Sequence, residues 1–170
     1  MDLKDKIRSI ENYPQEGVIF RDITTLLKDA EGMKQAIDDM QASLEGVDFD
    51  LILGPESRGF IFGMPVAYNM GKGFIPVRKK GKLPAEVISQ EYSLEYGTAT
   101  IEMHKDAVKP GQKVVIVDDL LATGGTAKAI VEMVESVGAT VEALVFLIEL
   151  DFLDGRKALS GYRVESVIHY

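Results

Sequence analysis

Apolar residues fall in short blocks along the chain, and the spacing inside each block separates strands from helices. "DLILG" and "GFIPVRK" are compact apolar runs closed by glycine, proline or charge, and each predicts a short buried strand. "KPGQKVVIVDD" predicts a turn followed by a strand, with Val114–Val117 as its apolar body. "TVEALVFLIEL" predicts another buried strand, and "YRVESVIHY" an edge strand. Between these runs the period changes to that of a helix. Met33, Ile37, Met40 and Leu44 share one helical face over residues 30–45. "GFIFGMPVAYNMG" predicts a helix starting after Arg58 and stopping near Gly71. Ile130, Met133, Val134 and Val137 mark a helix from about Gly125 to Val137, with Gly138 as its stop. Residues 2–12 are expected to form a short helix ending near Tyr13-Pro14, and "GVIFRDITTLL" an irregular segment. From Val87 to His104, β-branched and aromatic residues flank Glu95-Tyr96-Gly97, which predicts two antiparallel arms with a mobile connection.

Strands alternating with helices imply an α/β fold: a mainly parallel, twisted sheet with helices on both faces. Ligands of such sheets bind beyond the carboxyl ends of the strands. The 170 residues suit a single domain, residues 1–170, with a hood at about residues 1–30 and a flexible lid at about 82–104.

Composition narrows the class. With 46% hydrophobic and 27% charged residues, the chain fits an ordinary soluble globular protein. It contains no cysteine, which excludes a disulfide scaffold and a thiolate metal site. No apolar run is of signal-peptide or membrane-spanning type, so no membrane partner and a cytoplasmic location are expected. The net charge of −8 argues against nucleic acid as a partner. Small anionic ligands remain possible where cations gather, as Arg78, Lys79, Lys80 and Lys82 do in "PVRKKGKLP".

The run "VVIVDDLLATGGTAKA" holds the most specific chemistry. Asp118 and Asp119 close an apolar strand, at the edge where ligands bind. Ala122, Thr123, Gly124, Gly125 and Thr126 then lead into a helix. Glycines let backbone N–H groups converge on an anion, and the helix N-terminus adds partial positive charge. Two carboxylates beside such a nest suit hydroxyl donors or a divalent cation. A phosphate near a pair of hydroxyls describes a ribose 5-phosphate. The spacing matches neither a P-loop nor a dinucleotide fingerprint. No Ser-His-Asp or metal-ligand pattern involves His104 or His169, which are expected to be structural or surface residues.

These residues resemble the phosphoribosyl-pyrophosphate (PRPP) motif of the type I phosphoribosyltransferases. "GVIFRDIT", "GPESRGFIFG", "VRKKGKLP", "YSLEYG" and "KPGQKVVIVDDLLATGGT" together resemble the adenine phosphoribosyltransferases, in that family's order. The resemblance implies Mg²⁺-dependent transfer of a phosphoribosyl group from PRPP to adenine, giving AMP and pyrophosphate. It implies that Asp118 and Asp119 take the ribose hydroxyls, directly or through Mg²⁺, and that Ala122–Thr126 bind the 5′-phosphate. It places a non-proline cis peptide at Glu56-Ser57, with Arg58 as a pyrophosphate clamp and Arg78, Lys79 and Lys82 offsetting charge. The backbone of Ile19 and Arg21 is implied to read the adenine edge, with Phe20 stacked on the ring and Leu150 lining its far side. Glu95 is implied to handle the purine imidazole proton, and Tyr96 to cover the sugar. A homodimer, with the basic loop near its interface, is also implied. Transfer to another base such as xanthine, or PRPP sensing without chemistry, are the alternative functions.

Overall fold

The computed structural model describes residues 1–94 and 96–170. Its centre is a seven-stranded sheet. In chain order the strands are β3 (Leu51–Pro55), β4 (Gly73–Lys79), β5 (Val87–Ser93), β6 (Thr98–His104), β7 (Lys113–Leu121), β8 (Thr140–Glu149) and β9 (Val164–His169). They lie in the order β5-β6-β4-β3-β7-β8-β9. The pairs β4–β3, β3–β7, β7–β8 and β8–β9 are parallel, whereas β5–β6 and β6–β4 are antiparallel. The expected mainly parallel sheet is present, with β9 at one edge and the two antiparallel arms at the other.

Alternation along the central strands fills a core on each face. Val114 and Ile116 of β7, with Leu144 and Phe146 of β8, join Ile130, Met133 and Val134 of α4 (Gly125–Ser136). Val115 and Val117, with Val145 and Leu147, meet Met40 of α2 (Ala30–Ala42) and Phe62 and Val66 of α3 (Arg58–Met70) on the other face. Gly71 ends α3 in the left-handed region, with φ at 68°. Gly63 gives α3 its close approach to β4, since a Cβ there would lie 2.5 Å from the Phe74 ring.

Three expectations change. Residues 2–12 are not one helix: Leu3–Lys6 form a 3₁₀ turn and Arg8–Glu11 form strand β1. "GVIFRDITTLL" is ordered as strand β2 (Ile19–Asp22) and the one-turn helix α1 (Thr24–Leu27). β1 and β2 pair antiparallel in a sheet of their own, a long-range pairing that a helical period could not reveal. Met33 is exposed, because α2 buries Gly32, Ala36 and Met40 instead. A seam lined by a glycine and an alanine carries little hydropathic signal, and that misled the periodicity.

Asp22 ties the hood together. Its carboxylate accepts from the Thr24 hydroxyl at 2.6 Å and the Thr24 N–H at 2.9 Å, and from Arg8 Nε at 3.0 Å. The Thr24 hydroxyl, then Arg8, hold this carboxyl at about 2, far below the usual aspartate range. It is therefore ionised throughout ordinary solution conditions, and the turn from β2 into α1 stays pinned.

Candidate active site

Four loops lie at the carboxyl ends of β3, β4, β7 and β8, each carried there by a parallel strand. The first runs from β3 into α3 and contains a cis peptide at Glu56-Ser57, where the family resemblance implies one. The second follows β4 and carries the basic cluster. The third leaves β7 at Leu121 and enters α4 through Gly124, whose φ of 87° lies in the left-handed region. The fourth follows β8 at Leu150. β7 runs on to Leu121, beyond the apolar body of Val114–Val117, so Asp118 and Asp119 are strand residues held by the ladder to β8.

The first three, with Tyr92 and Ile101 of the antiparallel arms and Phe146 of β8, enclose a cavity of about 460 Å³. Its walls include Glu56, Ser57 and Arg58, Arg78 and Lys79, Asp118 and Asp119, and all of Ala122–Thr126. A second cavity of about 140 Å³ adjoins it, walled by Val18, Ile19, Phe20, Arg21 and Ile23 on one side and Ile148 and Leu150 on the other. Arg58, Asp119 and Leu120 line both, so the two spaces meet at these residues. The larger is polar and the smaller is a mostly apolar slot, a size and lining suited to a flat heterocycle beside a phosphorylated sugar.

The electrostatics show which groups are already engaged. Arg58 Nε lies 2.7 Å from Asp119 Oδ2. Asp119 is only 8% exposed, whereas nearly half of the Arg58 side chain faces solvent. Asp118 accepts the Asp119 N–H at 2.8 Å. Burial, and then the adjacent Asp119 charge, push the Asp118 carboxyl well above the usual aspartate range. Glu56 gathers the basic loop around itself: the Lys79 N–H donates to Oε1 at 2.8 Å, Lys82 Nζ to Oε2 at 3.0 Å, and Arg78 Nε stands 3.3 Å from Oε1. Burial works to raise the Glu56 carboxyl, but the Lys79 N–H, Lys82 and Arg78 outweigh it and hold it below the usual range. Lys82 and Arg78 are thus drawn together by one half-buried acid.

The nest is built by close packing as well as by sequence. Gly124 and Gly155 lie against one another: a Cβ on Gly124 would come within 2.7 Å of the Gly155 carbonyl oxygen. A Cβ on Gly155 would collide with the Ala122 carbonyl oxygen and lie 2.9 Å from Leu121 Cδ1. Residues 155–159 form a 3₁₀ turn under the nest, a support not visible in the local motif.

Of the residues singled out from sequence, Glu56, Ser57, Arg58, Arg78, Lys79, Asp118, Asp119 and Ala122–Thr126 line the larger cavity, and Ile19, Phe20, Arg21 and Leu150 line the slot. Lys82 is brought in through Glu56 rather than as a wall residue. Tyr96 is 86% exposed and lines neither cavity, and Glu95 lies outside the described residues. Tyr92 was not anticipated. It lines the larger cavity, with its hydroxyl 3.4 Å from Thr126 Oγ1. Alternation in β5 could have found it, since Ile88, Gln90 and Tyr92 turn inward while Ser89, Glu91 and Ser93 are exposed. His104 Nε2 accepts the Ala85 N–H, and His169 pairs with Asp151 at 2.7 Å. Ligand atoms of Glu149, Asp151 and His169 do lie within 4.8 Å of one another, a grouping the sequence did not suggest, but both Glu149 oxygens are taken by Arg156 Nε.

Comparisons with known proteins agree with one another. Residues 24–166 match the phosphoribosyl transferase domain family. The adenine phosphoribosyltransferase of Lachnoclostridium phytofermentans is 61% identical over 99% of this chain and 97% of its own. The crystal structure of the adenine phosphoribosyltransferase from Thermoanaerobacter pseudethanolicus superposes with a TM-score of 0.96 at 56% identity, covering 99% of this chain and 98% of the other. The Saccharomyces cerevisiae enzyme, crystallised with an imino-altritol bisphosphate and adenine, superposes with a TM-score of 0.91 at 39% identity, covering 98% and 96%.

Proposed function

The chain belongs to the adenine phosphoribosyltransferases of the phosphoribosyl transferase family, and we propose that its own residues move the 5-phosphoribosyl group of PRPP onto adenine, releasing AMP and pyrophosphate. One observation carries this: a polar cavity floored by an acidic pair and an anion nest opens onto an apolar slot at Arg58, Asp119 and Leu120. A sugar lying in the first space presents its C1′ to a base lying in the second.

The backbone N–H groups of Ala122–Thr126 and the α4 N-terminus take the 5′-phosphate. Asp119 and Asp118 accept from the ribose hydroxyls. Arg58 leaves Asp119 for the pyrophosphate, where its planar fork fits paired oxygens, and so frees the carboxylate for the sugar. Arg78, Lys79 and Lys82 add charge that stabilises pyrophosphate as it departs. In the slot, Phe20 lies against one face of the base and Leu150 against the other. The Ile19 and Arg21 backbones offer one donor and one acceptor to the 6-aminopurine edge. A 6-oxopurine presents the reverse polarity and leaves buried groups unpaired, which strongly disfavours it. Glu95 receives the imidazole proton as N9 bonds to C1′, and the arms β5 and β6 with Tyr96 exclude water.

The hard carboxylate oxygens of Asp118 and Asp119 fit Mg²⁺, which binds through one or two carboxylates together with substrate phosphates. Bound with PRPP, the ion would neutralise pyrophosphate charge. The cysteine-free composition supports a cytoplasmic setting.

Incubation with Mg²⁺, PRPP and a panel of bases tests the reading. AMP is expected from adenine, with hypoxanthine, guanine and xanthine converted poorly. Folded protein that binds PRPP but forms no nucleotide from any base would replace this function with sensing.

The proposal also makes the protein a homodimer. Ile61, Met64 and Tyr68 are exposed at helical spacing on α3, with Tyr68 at 83%, and this apolar face starts one turn from Arg58. Sedimentation equilibrium should return twice the 18.7 kDa chain mass. A monomer at assay concentration would refute the dimer.

A further inference from the structure

The slot has two walls with no shared sheet. Ile19, Phe20 and Arg21 belong to β2, which among the described residues pairs only with β1, while Leu150 follows β8 of the main sheet. Apolar packing of Ile7, Ile23 and Leu26 holds the hood onto the core, through a driving force that is itself non-directional. Tyr170 contacts both. Its N–H donates to the Glu149 carbonyl at 3.0 Å, and its main-chain oxygen accepts from the Asp151 N–H at 2.9 Å, so Leu150 is bracketed between the two bonds. Its ring lies under the Arg21 guanidinium, with Cζ 3.9 Å from the centroid, and Lys4 Nζ stands 4.8 Å from the same centroid. Arg21 Nη1 donates to Ser9 at 2.6 Å, while the buried Arg21 Nε has no hydrogen-bond partner among the described residues. Stacking on Tyr170 is therefore a principal restraint on that guanidinium.

We propose that Tyr170 is a positioning residue for base binding, joining the Arg21 wall to the Leu150 wall and so setting the width of the slot and the aim of the backbone groups that meet the base. The inference rests on the reading of the slot as the adenine site. A guanidinium over an aromatic face gives a directed attraction that is strengthened where water is excluded. Phenylalanine retains that face, and alanine removes it.

Tyr170→Ala should raise the KM for adenine roughly three- to thirty-fold, the range of a partly buried cation–π contact. The KM for PRPP and kcat should stay at wild-type values, and Tyr170→Phe should restore the adenine KM. A readout independent of turnover is amide hydrogen exchange in the ligand-free protein. Exchange at residues 18–22 should quicken in Tyr170→Ala while that of β7 is unchanged. Hood exchange equal to wild type, or KM values for both substrates rising together with a fall in melting temperature, would overturn the proposal. Failure of the wild-type protein to form AMP would instead remove the adenine reading, and the exchange result would still decide whether Tyr170 holds the hood.

Discussion

Asp119→Asn is expected to lower kcat/KM for PRPP by about 10- to 100-fold, the equivalent of one charge-assisted hydrogen bond to substrate, with little change in melting temperature. Two effects on stability oppose each other. The change removes the ion pair to Arg58, but nearly half of the Arg58 side chain is in solvent and can be hydrated, so the loss is about 1 kcal/mol or less. It also removes the like charge beside Asp118. Burial and Asp119 raise the Asp118 carboxyl above its unfolded value. The native state therefore binds that proton more tightly, and stability falls as pH climbs from the unfolded aspartate value through the folded one. Without the charge at position 119 this decline should shrink. Steady-state kinetics with PRPP varied, together with thermal melts at several pH values, check both parts. A collapse of the fold, or an unaltered PRPP dependence, would show that Asp119 is structural.

Gly155→Ala should be damaging although residue 155 lines neither cavity. The new methyl would collide with the Ala122 carbonyl oxygen and press on Leu121 Cδ1 at 2.9 Å. Backbone on one side and a buried leucine on the other leave little room to yield. Overpacking of this kind typically destabilises by about 1–3 kcal/mol, or several degrees of melting temperature for a chain of this size. The relief available is a shift of Ala122–Gly124 into the cavity, which would spoil the nest. The KM for PRPP should therefore rise more than that for adenine, the opposite selectivity to Tyr170→Ala. Wild-type melting and a wild-type PRPP KM together would mean that residues 155–159 do not support the nest.

The contrast between these two positions shows what could be read in advance. Asp119 stands in a contiguous run whose order names its chemistry: apolar strand, acids, glycine turn, helix. Gly155 supports the same nest from thirty-one residues beyond Gly124, in a segment with no pattern of its own. The hood divides likewise. Phe20 and its neighbours were identified by motif, but the pairing of β1 with β2 and the clamp at Tyr170 were not.

By itself the sequence determined the mainly parallel α/β core and the glycine turn after β7, and it nominated residues that the fold brings to the strand ends. The core and the turn after β7 follow from periodicity and short-range backbone preference, which act between near neighbours, whereas the roles of residues on the other loops were implied by the family resemblance. Only the tertiary structure decided that Arg58 pairs with Asp119, that Glu56 draws in the basic loop, and that the slot's walls are joined through Tyr170. Such contacts link residues far apart in the chain. Their existence depends on where the packed sheet delivers each loop, and no local spacing encodes that.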